Sequence, residues 1–110
     1  MDAERAQELL ALERERIERA MESLGRRSGG AGDDREPGEE GSESLYENEF
    51  DAGLAEDLAV QLAALERAET RLQAGTYGLS VESGERIPDQ RLEAVPTAER
   101  TVAEEELYRG

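Results

Sequence analysis

Two long segments of the chain carry apolar residues at heptad spacing, and this periodicity restricts the possible folds more than any other feature. The first segment, residues 2–27, is rich in Ala, Leu, Glu and Arg, which favour helix. Asp2 is a suitable N-cap, and Gly25 provides a C-terminal signal. The repeat predicts a helix with a coiled-coil-like seam. That seam contains Ala3, Leu10, Ile17 and Leu24, with Ala6, Ala20 and Met21 at intermediate positions.

A second heptad stripe predicts a second helix, from about Ser44 to Ala74. Ser44 has Glu47 three residues later, which is the spacing of a capping box, and Gly75 follows as a stop signal. We expect the two helices to bury their seams against each other as an antiparallel hairpin. Coiled-coil dimerisation between chains is the less favoured alternative, so a monomer is expected. The second stripe contains Leu54, Leu58, Gln61 or Leu62, Leu65, Ala68 and Leu72.

The segment between the two helices, about residues 28–44, is predicted to be a loop because it is dense in Gly, Ser and acidic residues. Residues 28–53 hold nine acidic residues and one Arg, which is −8 of the net charge of −15. Such a charge argues against direct nucleic-acid binding and favours partners with basic surfaces. The loop is either a solvated linker or an acidic tip that meets a partner.

Composition excludes several classes of protein. With 36% hydrophobic residues and no Trp, the 110-residue chain cannot build a thick globular core. It has no Cys and no His, so a structural zinc site of the usual kind is not expected. No signal peptide and no membrane-spanning run is visible, which favours a cytoplasmic location without membrane association. No nucleophile stands beside a base, so we expect neither enzymatic activity nor a cofactor.

Residues 77–110 read as a small separate lobe below a hairpin of residues 1–76. Gly and Pro mark its turns, Asp89–Leu92 suggest a short helical turn, and a last helix is expected from about Thr97 to Tyr108. Two pairs of polar residues stand at the spacing of a Cys-x-x-Cys motif. These pairs are Ser80 with Ser83 and Thr101 with Glu104.

The segment "LERAETRLQAGTYGLSVESGERIPDQRLEAVPTAERTVAEEE" resembles the DksA/TraR zinc-finger family. The stretch "EPGEEGSESLYENEFDAGL" is similar to the acidic tip of short members, so the resemblance covers residues 36–106. The first helix fits the family by architecture. Ten spaced residues fall in register with the family pattern: Gly75, Tyr77, Gly78, Gly84, Ile87, Arg91, Leu92, Ala94, Pro96 and Ala98.

The resemblance implies a fold and a function. The implied fold is mainly α, a long antiparallel helical hairpin with a small C-terminal zinc-finger-like lobe and a short terminal helix. DksA-like proteins are accessory factors that push such a hairpin into the secondary channel of bacterial RNA polymerase, in some members together with ppGpp. The implied partner-binding residues at the hairpin tip are Glu36, Glu39, Glu40 and Glu43. A coiled-coil scaffold with another partner remains the alternative.

The chain departs from the family pattern at all four zinc-ligand positions, which are occupied by Ser80, Ser83, Thr101 and Glu104. Hydroxyl groups are poor zinc ligands, and one carboxylate cannot hold a tetrahedral site. We therefore predict a lobe that folds without metal. Hydrogen bonds of Ser80, Ser83 and Thr101 would support it. Apolar packing is expected from Leu79, Val81, Ile87, Leu92 and Val102.

Overall fold

The computed structural model describes the backbone of residues 1–28 and 42–109 and the side chains of residues 1–26 and 51–108. Its four helices are α1 (Ala3–Ser28), α2 (Ser42–Ala74), α3 (Asp89–Ala94) and α4 (Val102–Arg109). Within these ranges no strand forms, and the β-type pairing is an isolated bridge between Leu79 and Arg86. The prediction of a mainly α fold is confirmed.

The chain divides into two compact units, each of which contains part of α1 and part of α2. Unit 1 comprises residues 1–14 and 63–110, and unit 2 comprises residues 15–62. The expected boundary between hairpin and lobe at residue 76 stays a prediction. Of the predicted loop of residues 28–44, Ser28 belongs to α1 and residues 42–44 belong to α2.

The heptad seams supply most of the buried apolar residues of both helices. In unit 2, Ile17 of α1 and Leu58 of α2 are buried, and the Arg16 Nη2 donates to Gln61 Oε1 at 2.6 Å. Three expected seam details differ, since Ala3 and Met21 are exposed and Leu9, outside the predicted seam, is buried. An α-helix drifts by about 20° per heptad, so a strict seven-residue repeat does not stay on one face. In unit 1 the buried seam residues are Ala6, Leu10, Leu65 and Ala68.

The end of α2 forms as its sequence signal predicts. Gly75 has a φ of 81°, the left-handed conformation that glycine adopts without strain. Its N–H donates to the Leu72 carbonyl at 3.2 Å, and the Thr76 N–H donates to the Arg71 carbonyl at 2.8 Å. This pair of bonds is a Schellman motif, which satisfies the last carbonyls of the helix. The start differs slightly, because α2 begins at Ser42 and not at Ser44.

The lobe has a small apolar core of Ile87, Leu92 and Ala98, with Met1 and Tyr77 packed against it. Beside this core, Gly78 has φ 86°, a left-handed conformation that glycine adopts without strain. Ile87 and Leu92 are buried as expected. The expectation is wrong for Leu79, Val81 and Val102, whose side chains are 38%, 48% and 50% exposed.

Helix α4 starts later than the sequence suggests, at Val102 and not near Thr97. The backbone groups of Ala98 and Glu99, just before the helix, make hydrogen bonds to other parts of the lobe. The Glu99 carbonyl accepts the Val81 N–H at 2.9 Å, and the Ala98 N–H donates to the Val95 carbonyl at 3.0 Å. The bond from the Glu105 N–H to the Thr101 carbonyl, at 2.9 Å, opens the helix, which therefore begins after these contacts.

Over the residues that the structure describes, no helix is both long enough and apolar enough to cross a membrane.

Candidate functional site

The predicted tip site cannot be placed. Glu36, Glu39 and Glu40 lie outside the described residues, and Glu43 lies in α2 at a position where the structure describes the backbone but not the side chain. Their role as partner-binding residues stays a prediction. The second predicted set, Ser80, Ser83, Thr101 and Glu104, lies in the lobe among the described residues.

The first pair of that set, Ser80 and Ser83, lies in a tight turn between residues 79 and 86. The Ser80 N–H donates to the Glu85 carbonyl at 2.7 Å, and the Gly84 N–H returns to the Ser80 carbonyl at 3.0 Å. Ser80 itself is 5% exposed. Its Oγ accepts the N–H of Glu82 at 3.1 Å and the N–H of Ser83 at 3.3 Å. The hydroxyl oxygen of this buried residue thus stabilises the turn by accepting two of its backbone N–H groups.

The second pair, Thr101 and Glu104, forms the N-terminal cap of α4. The Glu104 N–H donates to Thr101 Oγ1 at 3.2 Å, and the Thr101 N–H donates to Glu104 Oε1 at 2.9 Å. This reciprocal arrangement is a capping box, in which two N–H groups at the helix start are satisfied by side chains. Thr101 and Glu104 are three residues apart, which is the spacing of two metal ligands and also that of a capping box. Sequence reasoning found only the first of these two interpretations.

The structure brings the two pairs together at the Glu104 carboxylate. Hydrogen bonds from the hydroxyls of Ser80 and Ser83, and then from the backbone N–H of Thr101, lower the pKa of Glu104 to about 2. The carboxylate is therefore ionised at neutral pH. We call Ser80, Ser83, Thr101 and Glu104 the polar knot.

A second carboxylate, Glu99, attaches the lobe to α2. Arg67 of α2 donates to both of its oxygens, with Nε–Oε2 at 3.2 Å and Nη2–Oε1 at 2.8 Å. The Nη1 of Arg71, one turn further along, reaches Glu99 Oε2 at 3.3 Å. Hydrogen bonding to Arg67 lowers the pKa of Glu99 although partial burial opposes it. Sequence reasoning did not find this contact; the signal available was a pair of arginines four residues apart on one helix face.

The start of α1 is tied to α3 by two further ion pairs. The N-terminal amine of Met1 lies 3.1 Å from Asp89 Oδ1. Arg5 donates to both oxygens of Glu93, at 2.8 and 2.6 Å, and this bonding lowers the pKa of Glu93. Bidentate pairs of this type fix orientation as well as distance.

Three further contacts connect parts of the lobe. The Tyr77 hydroxyl donates to the Pro96 carbonyl at 2.7 Å, and burial raises the pKa of that hydroxyl. The Arg100 guanidinium donates to Glu82 Oε1 at 3.1 Å and lies 3.9 Å from the ring centre of Tyr108, a cation–π contact. Tyr77 and Pro96 are both residues that carry the family resemblance.

No group of three or more His, Cys, Asp or Glu residues is arranged to hold a metal ion in the part of the chain that the structure describes. The polar knot contributes one carboxylate and three hydroxyls.

The solved structure of transcription factor DksA2 from Pseudomonas aeruginosa is similar to this chain. The match has a TM-score of 0.73 and covers 99% of this chain and 86% of that chain, at 24% identity. The chain has a DksA-like fold. At that identity the likeness establishes the fold, and the fold implied by the resemblance is thereby confirmed.

The sequence comparison finds a relative of unassigned role. The chain is 42% identical over 71 residues to the uncharacterized protein YteA of Bacillus subtilis strain 168. The matched region is 64% of this chain but 29% of that protein, so the DksA-like chain spans only a part of its relative's length. No protein-family model matches the chain.

Proposed function

We propose that this protein is a DksA-like regulator of bacterial transcription that binds RNA polymerase through the secondary channel, with its acidic tip directed toward the active site. The observation that carries the proposal is the likeness to transcription factor DksA2 along nearly the whole of both chains. The register of the lobe residues, from Gly75 to Ala98, supports it independently.

The charge distribution suits this role. A channel that admits nucleotides to a catalytic magnesium centre presents metal and basic side chains to whatever enters it. An acidic loop is attracted to such a site, and the attraction steers association. The proposed contact residues are Glu36, Glu39, Glu40 and Glu43. The proposed state is a cytoplasmic monomer without cofactor, enzymatic activity, direct nucleic-acid contact or membrane association.

Binding to the cognate core polymerase tests the proposal, measured by pull-down at low salt and by cryo-EM of the complex. We expect a complex with the helical hairpin inside the secondary channel. The absence of polymerase binding would overturn the proposal, and capture of a different protein in its place would favour the scaffold alternative.

A matched pair of variants tests the tip. The first variant combines Glu36→Ala, Glu39→Ala and Glu40→Ala. The control removes the same charge from exposed positions of unit 1, with Glu66→Ala, Glu85→Ala and Glu106→Ala. We expect the tip variant to change transcription from a test promoter and the control to act as wild type. Equal behaviour of the two variants would refute the tip assignment and leave polymerase binding standing.

Addition of ppGpp to the same transcription assay tests whether this alarmone acts together with the protein on the polymerase. A larger effect of the protein when ppGpp is present would place the nucleotide at the polymerase interface. An unchanged effect would remove ppGpp from the proposed partners.

A further inference from the structure

The DksA-like fold implies zinc at the polar knot, and the residues present do not fit that ion. Structural zinc sites are built from thiolate and imidazole ligands, usually four of them, whereas the knot offers three hydroxyls and one carboxylate. The hydroxyl oxygens of Ser80 and Ser83 accept backbone N–H groups of the residue 79–86 turn. Thr101 Oγ1 and Glu104 Oε1 accept backbone N–H groups at the start of α4. Each pair thus stabilises the segment to which it belongs.

The Arg100 side chain contacts both of these segments. Its Nε donates to Glu82 Oε1 of the turn at 3.1 Å. Its Nη1 lies 4.0 Å from Glu105 Oε2, and its Cζ lies 3.9 Å from the ring centre of Tyr108, both in α4. The side chain is only 19% exposed while it makes these contacts. A guanidinium can do this because its N–H groups point in several directions and its flat face stacks on aromatic rings.

We propose that the Arg100 guanidinium cross-links the residue 79–86 turn to α4, which is the connection that a zinc ion would provide at the polar knot. The proposal concerns how the lobe is held together, and it does not depend on polymerase binding.

The sequence positions of the three charged residues support this role. Glu82 directly precedes Ser83, which is a ligand position of the turn, and Arg100 directly precedes Thr101, which is a ligand position beside α4. Glu105 directly follows the last ligand position. The contacts of Arg100 therefore connect the same two segments that four zinc ligands would connect, one residue away from the ligand positions.

The charges are also suitable for a cross-link. A zinc ion is a cation that draws ligands from two segments, and the guanidinium is a cation that cannot be deprotonated in a protein. It therefore attracts the Glu82 and Glu105 carboxylates without any need for thiolate or imidazole. The Tyr108 ring adds a cation–π contact from the end of α4.

The residue before Arg100 fixes the backbone from which this side chain extends. The Glu99 carbonyl accepts the Val81 N–H of the turn at 2.9 Å. The Glu99 carboxylate accepts from Arg67 and Arg71 of α2. Because residue 99 is held on two sides, the long side chain of Arg100 starts from a defined position, and less conformational entropy opposes its contacts.

The first experiment removes the guanidinium. Backbone amide exchange, measured by NMR, is compared among wild type, Arg100→Gln and the control Arg86→Gln, an exposed arginine of the same lobe. The reporters are the Val81 N–H, which bonds to the Glu99 carbonyl, and the Glu105 N–H, which bonds at the start of α4. We expect both to exchange about three- to tenfold faster in Arg100→Gln and to be unchanged in the control. Equal exchange in the two variants would overturn the proposal.

The second experiment tests the pairing with Glu82 by a double-mutant cycle of Arg100→Gln and Glu82→Gln. A control cycle uses Glu85→Gln, an exposed acid of the same turn, in place of Glu82→Gln. We expect the Val81 N–H to exchange no faster in the Arg100/Glu82 double variant than in Arg100→Gln alone, and the effects in the control cycle to multiply. Effects that multiply in both cycles would show that Arg100 and Glu82 act independently, and the proposal would fall.

The third experiment uses wild-type protein, so it is decisive even if Arg100→Gln unfolds the lobe. The exchange rate of the Arg100 Nε–H is compared by NMR with that of the exposed Arg86. We expect the Arg100 Nε–H to exchange at least about tenfold more slowly, because it donates to Glu82. Equal rates at the two arginines would refute the cross-link.

The same wild-type sample tests whether a metal ion makes the connection instead. Amide exchange at Val81 and Glu105 is measured with and without EDTA, and bound zinc is measured by elemental analysis. We expect no effect of the chelator and no stoichiometric zinc. Stoichiometric zinc, or loss of protection in EDTA, would overturn the proposal.

Discussion

The two units of the molecule are stabilised in different ways. The described part of unit 2 contains two helical segments whose buried residues, such as Ile17 and Leu58, come from a heptad stripe. Unit 1 shares that stripe but adds a lobe whose connections are mainly polar, and the Glu99 carboxylate of that lobe accepts from both Arg67 and Arg71. Periodic apolar packing tolerates many sequences, whereas a polar network depends on individual side chains.

The largest expected effect concerns the helical seam of unit 2. Ile17 is fully buried, and Ile17→Ala removes its contacts and leaves a cavity. We expect the free energy of unfolding to fall by about 2–5 kcal/mol, measured by urea denaturation. The control is Leu12→Ala on the same helix, where the side chain is 59% exposed. A loss in Ile17→Ala no greater than in the control would mean that the seam does not hold this unit together.

The next effect compares one substitution at two glycines. Gly78 in the lobe has φ 86°, so Gly78→Ala forces a side chain into the left-handed region and is expected to destabilise by about 1–2 kcal/mol. Gly53 lies inside α2 with open space around it, so Gly53→Ala is expected to stabilise by about 0.5–1 kcal/mol. Thermal melting of both variants checks the opposite signs. Shifts of the same sign would contradict the difference between turn and helix.

A smaller effect tests the attachment of the lobe to α2. Glu99→Gln leaves the Arg71 side chain, which is 14% exposed, beside a neutral partner. We expect a loss of about 1 kcal/mol at neutral pH. The pKa of Glu99 is lowered from its ordinary value of 4.5, so its contribution is complete above that pH and is lost as the pH falls through the lowered pKa.

Urea denaturation over a range of pH checks this prediction. The difference in unfolding free energy between wild type and Glu99→Gln should shrink as the pH drops below 4.5. Glu66→Gln, at an exposed position of α2, serves as the control. If the difference in unfolding free energy between wild type and Glu99→Gln stayed constant down to low pH, the ion pairs with Arg67 and Arg71 would not be the cause of that difference.

The smallest effect is expected at the exposed pair of Arg5 and Glu93. Both side chains are 43% exposed, so solvent and salt screen their interaction. Glu93→Gln should lower the melting temperature less than Glu99→Gln does, and the difference from wild type should vanish in about 1 M salt, where the Debye length is near 3 Å. A salt-insensitive loss larger than that of Glu99→Gln would reverse this ranking.

Local signals predicted most of the helical scaffold. The heptad stripes indicated α1 and α2, and Gly75 marked the end of α2 because a glycine with positive φ terminates a helix at that position. The lobe was less predictable in detail. Leu79, Val81 and Val102 are apolar and were expected to pack, but they are partly exposed, and the buried core of the lobe consists of Ile87, Leu92 and Ala98.

The sequence alone determined the helix pairing, the acidic character of the segment between the helices and the DksA-like lobe. It did so because periodicity, charge and turn residues act over short distances along the chain. Only the tertiary structure decided which of the 28 acidic residues meet which of the 13 arginines, as Glu99 meets Arg67 and Arg71. These two contacts join residues separated by tens of positions, and no local pattern encodes such a choice.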